Sequence, residues 1–300
     1  MLKDKKKTIV YLIWAFVIAW ILQVIASAAA NIAANTTGMT NSLGNLIFTG
    51  VLAVSMYAPF FAVLLAKYPL KGMGWIPKLK GNIGWMFLAW VGPLLFSVLG
   101  AVVYFVIFPE RFDLTGAYFA MALGEEGLAQ VEAEGLTLQQ LLVMQIVSAP
   151  LYAPFINMFA ALGEEVGWRG MLYPQLKSFF GKTKGRILGG AIWGAWHWPV
   201  MLLAGYEYGK AYPGAPISGM ITFCLFCIVS GTLLDVLYEK TNCIWVPSLA
   251  HGAINGTASL AIYLTKPEYI DQMILGPAPI GIIGVIPALI VAVIVLCKDR

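Results

Sequence analysis

Eight stretches of this chain are each long and apolar enough to cross a bilayer, and that pattern excludes most folds. A transmembrane helix needs about 20 apolar residues. Runs at roughly 8–33, 43–66, 83–108, 140–162, 187–204, 217–238, 244–264 and 279–297 meet that requirement. Composition agrees: 60% of residues are hydrophobic and 11% charged, where a soluble domain carries roughly 25% charged. Such a surface needs lipid around it. The expected fold class is an all-α polytopic membrane protein of about eight transmembrane helices. It would form a single transmembrane domain, residues 1–300, with a catalytic core at about 140–265. The lipid bilayer is its first partner, and the net charge of +4 points to no nucleic acid.

Charge placement tests this topology. Basic residues collect on the cytoplasmic side of membrane proteins. With the N-terminus inside, Lys3, Lys5, Lys6, Lys7, Lys78, Lys298 and Arg300 fall on inner segments. Of the nineteen Lys and Arg, all but Arg111, Lys210 and Lys266 do so. Both termini are therefore expected to be cytoplasmic. The first run, from Thr8 to about Asn31, is too long for a signal-peptide core. An acidic stretch from Glu125 to Gln140 is expected to form a short surface helix. Cys224 and Cys227 form a CxxC, but they lie inside an apolar run with no second CxxC to complete a zinc site. They read as small apolar side chains.

Ionisable groups inside spans are costly and mark function by default. Three clusters stand out. Gly163-Glu164-Glu165 through Arg169 closes the fourth span. Glu165 and Arg169 are four apart and can pair on a helix, which leaves Glu164 as the carboxylate free to act as a base. Trp193 to Pro199 holds His197 in the fifth span, and Pro199 frees a backbone carbonyl that needs a local partner. His251 and Asn255 share one helix face of the seventh span. These groups fall at similar depth, which suits one polar cavity opening to the cytoplasmic side.

A carboxylate, two imidazoles and a carboxamide suit hydrolysis. Glu164 can take a proton from water that His197 orients. Asn255 and His251 can donate to the oxyanion formed on a peptide carbonyl. Glu164, His197 and His251 would equally make a three-ligand site for a divalent metal such as zinc, and the residues leave that choice open. No GxSxG or HExxH is present.

The order Glu164-Glu165-xxx-Arg169, Trp193-xxx-His197 and His251-xxx-Asn255 resembles the CAAX-protease and bacteriocin-processing (CPBP, or Abi) family of intramembrane peptidases. The flanking text EEVGWRGMLYPQL and YEKTNCIWVPSLAHGAIN resembles it too. Trp193 stands where the family pattern is often written with phenylalanine. The resemblance implies an intramembrane endopeptidase acting on a peptide or protein substrate, with or without an attached lipid. Glu164, His197, His251 and Asn255 would be catalytic, with Glu165, Arg169 and Trp193 in support. The expected setting is a prokaryotic cytoplasmic membrane, crossed several times. The competing readings are a proton- or ion-coupled transporter, and an inactive scaffold or immunity protein of the same fold. Asp235, near the inner end of the sixth span, is expected to pair with Lys240 or water and to take no part in catalysis.

Overall fold

The computed structural model describes residues 4–77 and 79–299, so Lys3, Lys78 and Arg300 of the charge pattern lie outside the described residues. No strand is found among the described residues; an isolated bridge pairs Phe112 with Thr265. The helices are α1 (Lys5–Ala34), α2 (Gly38–Ser55), α3 (Ala58–Leu65), α4 (Ile83–Ile107), α5 (Ala117–Ala133) and α6 (Leu138–Gly167). There follow α7 (Tyr173–Phe180), α8 (Lys182–Trp196), α9 (Trp198–Ala204), α10 (Ile217–Thr241), α11 (Trp245–Thr257) and α12 (Ile286–Lys298).

Among the described residues six helical runs are long and apolar enough to cross a membrane: Lys5–Ala34, Gly38–Leu65, Ile83–Ile107, Leu138–Phe180, Lys182–Ala204 and Ile217–Thr241. The chain is an integral, multi-pass membrane protein. These runs coincide with the first six expected spans. The last two expected spans correspond to α11 and α12, each of 13 residues. At 1.5 Å per residue such a helix covers about 20 Å.

The bundle is apolar outside and small inside. On α1, Ile9, Ile13, Ile21 and Val24 face outward, while Ala15, Ala19, Ala26 and Ala33 are buried. Between apolar helices lipid offers no less than another side chain does, so close approach of small residues decides contact. At the crossing of α8 with α10, a Cβ on Gly190 would lie 2.3 Å from the Ile228 backbone, and one on Gly194 would lie 2.6 Å from that of Cys224. Cys227 is fully buried, and Cys224 forms part of that packing surface.

One end of the bundle gathers the basic segments. The Asp4 backbone N–H donates to Gln175. Lys177 and Arg186 both pair with Asp235, at 2.8 and 2.7 Å. Arg186 also reaches Glu239 at 2.8 Å and binds Asp299. Asp235 therefore pairs with Lys177 and Arg186 rather than with Lys240, because α7 and α8 fold back beside α10 and bring both cations to it. The opposite end carries the α5 region and the segments 205–216 and 258–285. There the Asp113 N–H donates to the Leu264 carbonyl, and Lys210 donates to Asn31. Of the acidic stretch, Glu125 to Ala133 is helical, as the end of α5 beyond a break at Gly124 (φ +70°), and the chain then turns before α6 begins at Leu138.

Candidate active site

Glu164 does not end its helix. The chain continues from α6 through a π-helical turn, Trp168–Leu172, into α7, as one run of 43 residues. The charged motif looks like a terminus by hydropathy. Inside the fold, however, Glu165 and Arg169 are both fully buried and pair at 3.0 Å, so the helix can carry them without reaching water. π-turns occur often at functional sites because they re-aim side chains. Here the turn places Trp168 so that its indole N–H donates to Glu164 Oε2 at 3.0 Å.

A second indole meets the same oxygen. Trp193 Nε1 donates to Glu164 Oε2 at 2.7 Å. Two N–H donors thus fix one oxygen, while the other accepts no hydrogen bond among the described residues, and Glu164 lines a cavity of about 460 Å³. The tryptophan in place of the usual phenylalanine supplies a donor as well as an aromatic wall. Its ring also lies 4.7 Å from the Arg169 guanidinium, and Tyr173 faces the same cation at 4.9 Å.

His197 stands at the break between α8 and α9. Pro199 cannot donate a backbone hydrogen bond, and the interrupted ladder is bridged by Gln23 of α1. Gln23 Nε2 donates to the Trp196 carbonyl at 3.0 Å, and its Oε1 accepts from the Val200 N–H at 3.4 Å. His197 Nδ1 is 3.0 Å from the Trp193 carbonyl. A carbonyl can only accept, so Nδ1 carries the proton and Nε2 keeps a lone pair.

His251 is held from the other side. Its Nδ1 is 2.8 Å from Glu165 Oε1, the oxygen that also takes Arg169, and its ring meets Trp193 edge-on at 5.2 Å between centroids. With Nδ1–H donated to the carboxylate, Nε2 is an acceptor in the neutral ring. Asn255, one turn on, is exposed. The backbone crossing of α11 over α6 sets this register, since a Cβ on Gly252 would lie 2.5 Å from the Pro154 carbonyl.

The structure therefore gathers Glu164, Trp193, His197, His251 and Asn255 around one cavity, with Glu165 and Arg169 behind its wall. Sequence reading missed Trp168, Gln23 and Glu207, which also serve or line this space. An indole inside an apolar run reads as bulk, and only its N–H direction gives Trp168 away. The π-turn and α7 fill the basic end with buried Trp168, Met171, Leu172 and Tyr173. The lining includes Tyr206, Glu207, Ala258, Ser259 and Ile262. Exposed Thr49, Ala53, Asn255 and Ser259 lie along it.

The alternative metal set was Glu164, His197 and His251. Among the described residues no three His, Cys, Asp or Glu are grouped to hold an ion. One oxygen of Glu164 is already taken by two N–H donors.

Trp193→Phe is expected to keep the ring contacts and lose one hydrogen bond to a carboxylate, an interaction of about 1.5–3 kcal/mol. With Glu164 held by one indole instead of two, kcat for any reaction that uses it should fall about 10- to 100-fold at nearly constant KM. Steady-state kinetics would test this, and an unchanged kcat would show that the second indole is dispensable.

Residues 146–257 match the family described as type II CAAX prenyl endopeptidase Rce1-like. The curated protein CAAX prenyl protease 2 of Methanococcus maripaludis is 38% identical over 55 residues, which is 18% of this chain and 20% of that protein. The chain thus matches about a fifth of the length of that relative. The resemblance read from the three motifs is borne out over this stretch.

Proposed function

Taking residues 146–257 as an Rce1-like CAAX-protease segment, we propose that this chain is an intramembrane endopeptidase in which Glu164 activates water. The observation that carries this reading is the Glu164 carboxylate itself. Two indoles fix one oxygen, and the other is left to the cavity. Glu164 takes a proton from water as the water oxygen bonds to the peptide carbonyl carbon and the carbonyl electrons move onto oxygen. His197 Nε2 accepts the water's second proton as a hydrogen bond. The Asn255 carboxamide donates to the oxyanion. His251 can join it once Nε2 has taken up a proton, since Nδ1–H is already given to Glu165. Collapse breaks the C–N bond, and the proton on Glu164 passes to the leaving amine. Arg169 holds Glu165, and Glu165 holds His251.

Substrates of this reading are peptides or proteins at the membrane. The eight-span count, both termini on the cytoplasmic side and a prokaryotic cytoplasmic membrane belong to the same proposal. The convergence of the basic segments at one end of the bundle supports that orientation. The test is cleavage of a membrane-peptide library by purified protein in nonionic detergent, with and without a chelator. The expected result is cleavage that survives chelation. Activity lost to the chelator and restored by zinc would overturn the glutamate mechanism.

A further inference from the structure

The cavity holds a second carboxylate, Glu207, to which the hydrolytic scheme assigns no part. It lies in the connection between α9 and α10, in the run Gly205-Tyr206-Glu207-Tyr208-Gly209. Its own backbone is left-handed, at φ +70°. That conformation is disfavoured for a residue with a side chain. Glycine would make the same turn without strain, and the turn already uses glycine at 205 and 209, with φ of +71° and +74°. Strain of this kind persists where the surrounding structure holds it, and it clusters at functional positions.

The surroundings of Glu207 set it apart from the other inward-facing acids. Glu165 is matched by Arg169 and His251. Asp235 is matched by Lys177 and Arg186. Asp113 accepts from Thr115 and Ala117. Glu164 is held by two indoles. Glu207 is half-buried in the cavity wall and forms no ion pair among the described residues. Burial pushes its carboxyl above the ordinary range, and a hydrogen bond from Tyr206 draws it back. Among the described residues the cavity lining carries two carboxylates, Glu164 and Glu207, and neither lysine nor arginine. A cleft with low-dielectric walls and one sign of charge concentrates ligands of the opposite sign.

We propose that Glu207 determines specificity by binding the basic side chain of the peptide that enters this cavity. The inference rests on the peptidase reading and narrows its substrate class to segments carrying a lysine or arginine near the cleaved bond. A free C-terminal carboxylate against the same wall would meet repulsion instead.

Binding is measured apart from cleavage, so the two readings fail separately. The probes are apolar hexapeptides, acetylated at one end, amidated at the other and labelled with an uncharged fluorophore. They differ only in a central lysine, norleucine or glutamate. Anisotropy titration of wild type in nonionic detergent should show the lysine peptide binding at least about tenfold more tightly than norleucine, with glutamate weakest. Glu207→Gln and Glu207→Gly should both erase that preference. The glycine variant relaxes the turn, so a shared loss identifies the carboxylate. Glu207→Lys should invert the order. Equal binding of all three peptides by wild type, or a lysine preference that survives in Glu207→Gln and Glu207→Gly, would overturn the proposal. A protein that selects lysine yet cleaves nothing would instead count against the peptidase reading alone.

Discussion

Glu164→Gln is expected to slow peptide cleavage by about 10³- to 10⁴-fold, near the upper part of what general base catalysis contributes, while the fold survives. The reason lies in how the carboxylate is held. Glutamine is isosteric, and its amide oxygen can still accept from Trp168 and Trp193 at the positions seen at 3.0 and 2.7 Å. That orientation turns the NH₂ toward the cavity. A donor then stands where a proton acceptor is needed, so geometry is kept and chemistry is lost. Single-turnover cleavage of one peptide, with the thermal unfolding midpoint measured alongside, would check both halves. A rate within tenfold of wild type in a normally folded Glu164→Gln protein would remove Glu164 from the chemistry.

Arg186→Leu is expected to cost about 3 kcal/mol of stability, the low end of the range for breaking a buried ion pair by removing one partner. Arg186 is 1% exposed and Asp235 is fully buried. Removal of the guanidinium strips Asp235 of a partner at 2.7 Å and Glu239 of one at 2.8 Å. Lys177 remains at 2.8 Å from Asp235, and this keeps the loss at the low end. The double variant Arg186→Leu/Asp235→Leu should recover much of it, since no uncompensated charge then stays buried. Denaturant titration in detergent would measure both. A single variant as stable as wild type would mean that Lys177 alone satisfies Asp235.

Much of this architecture was legible because a lipid-facing helix advertises itself residue by residue. Six expected spans coincide with six helical runs. The last two were less legible, since α11 is walled by other helices along much of its length and needs no full bilayer-length apolar run. The polar side chains of the cavity were conspicuous for the same reason: Glu164, His197 and His251 are expensive where they stand. The end of α6 was misread because sequence cannot show that Glu165 and Arg169 cancel each other out of reach of water. Glu207 escaped notice because a charge in a connecting segment is ordinary, and only its backbone conformation and the wall it faces distinguish it.

The close crossing of α11 over α6 has a bearing on what kinds of error this protein can tolerate. Glu165 and His251 are partners at 2.8 Å only because Gly252 lets one backbone rest against the other. A methyl group there would meet the Pro154 carbonyl at 2.5 Å, and the two helices would have to part. The reach of an imidazole to a carboxylate is therefore guarded by an atom that belongs to neither. Mutational damage to the chemistry can arrive through a position with no chemistry of its own, and the smallest side chain of the α11 motif is among the least replaceable.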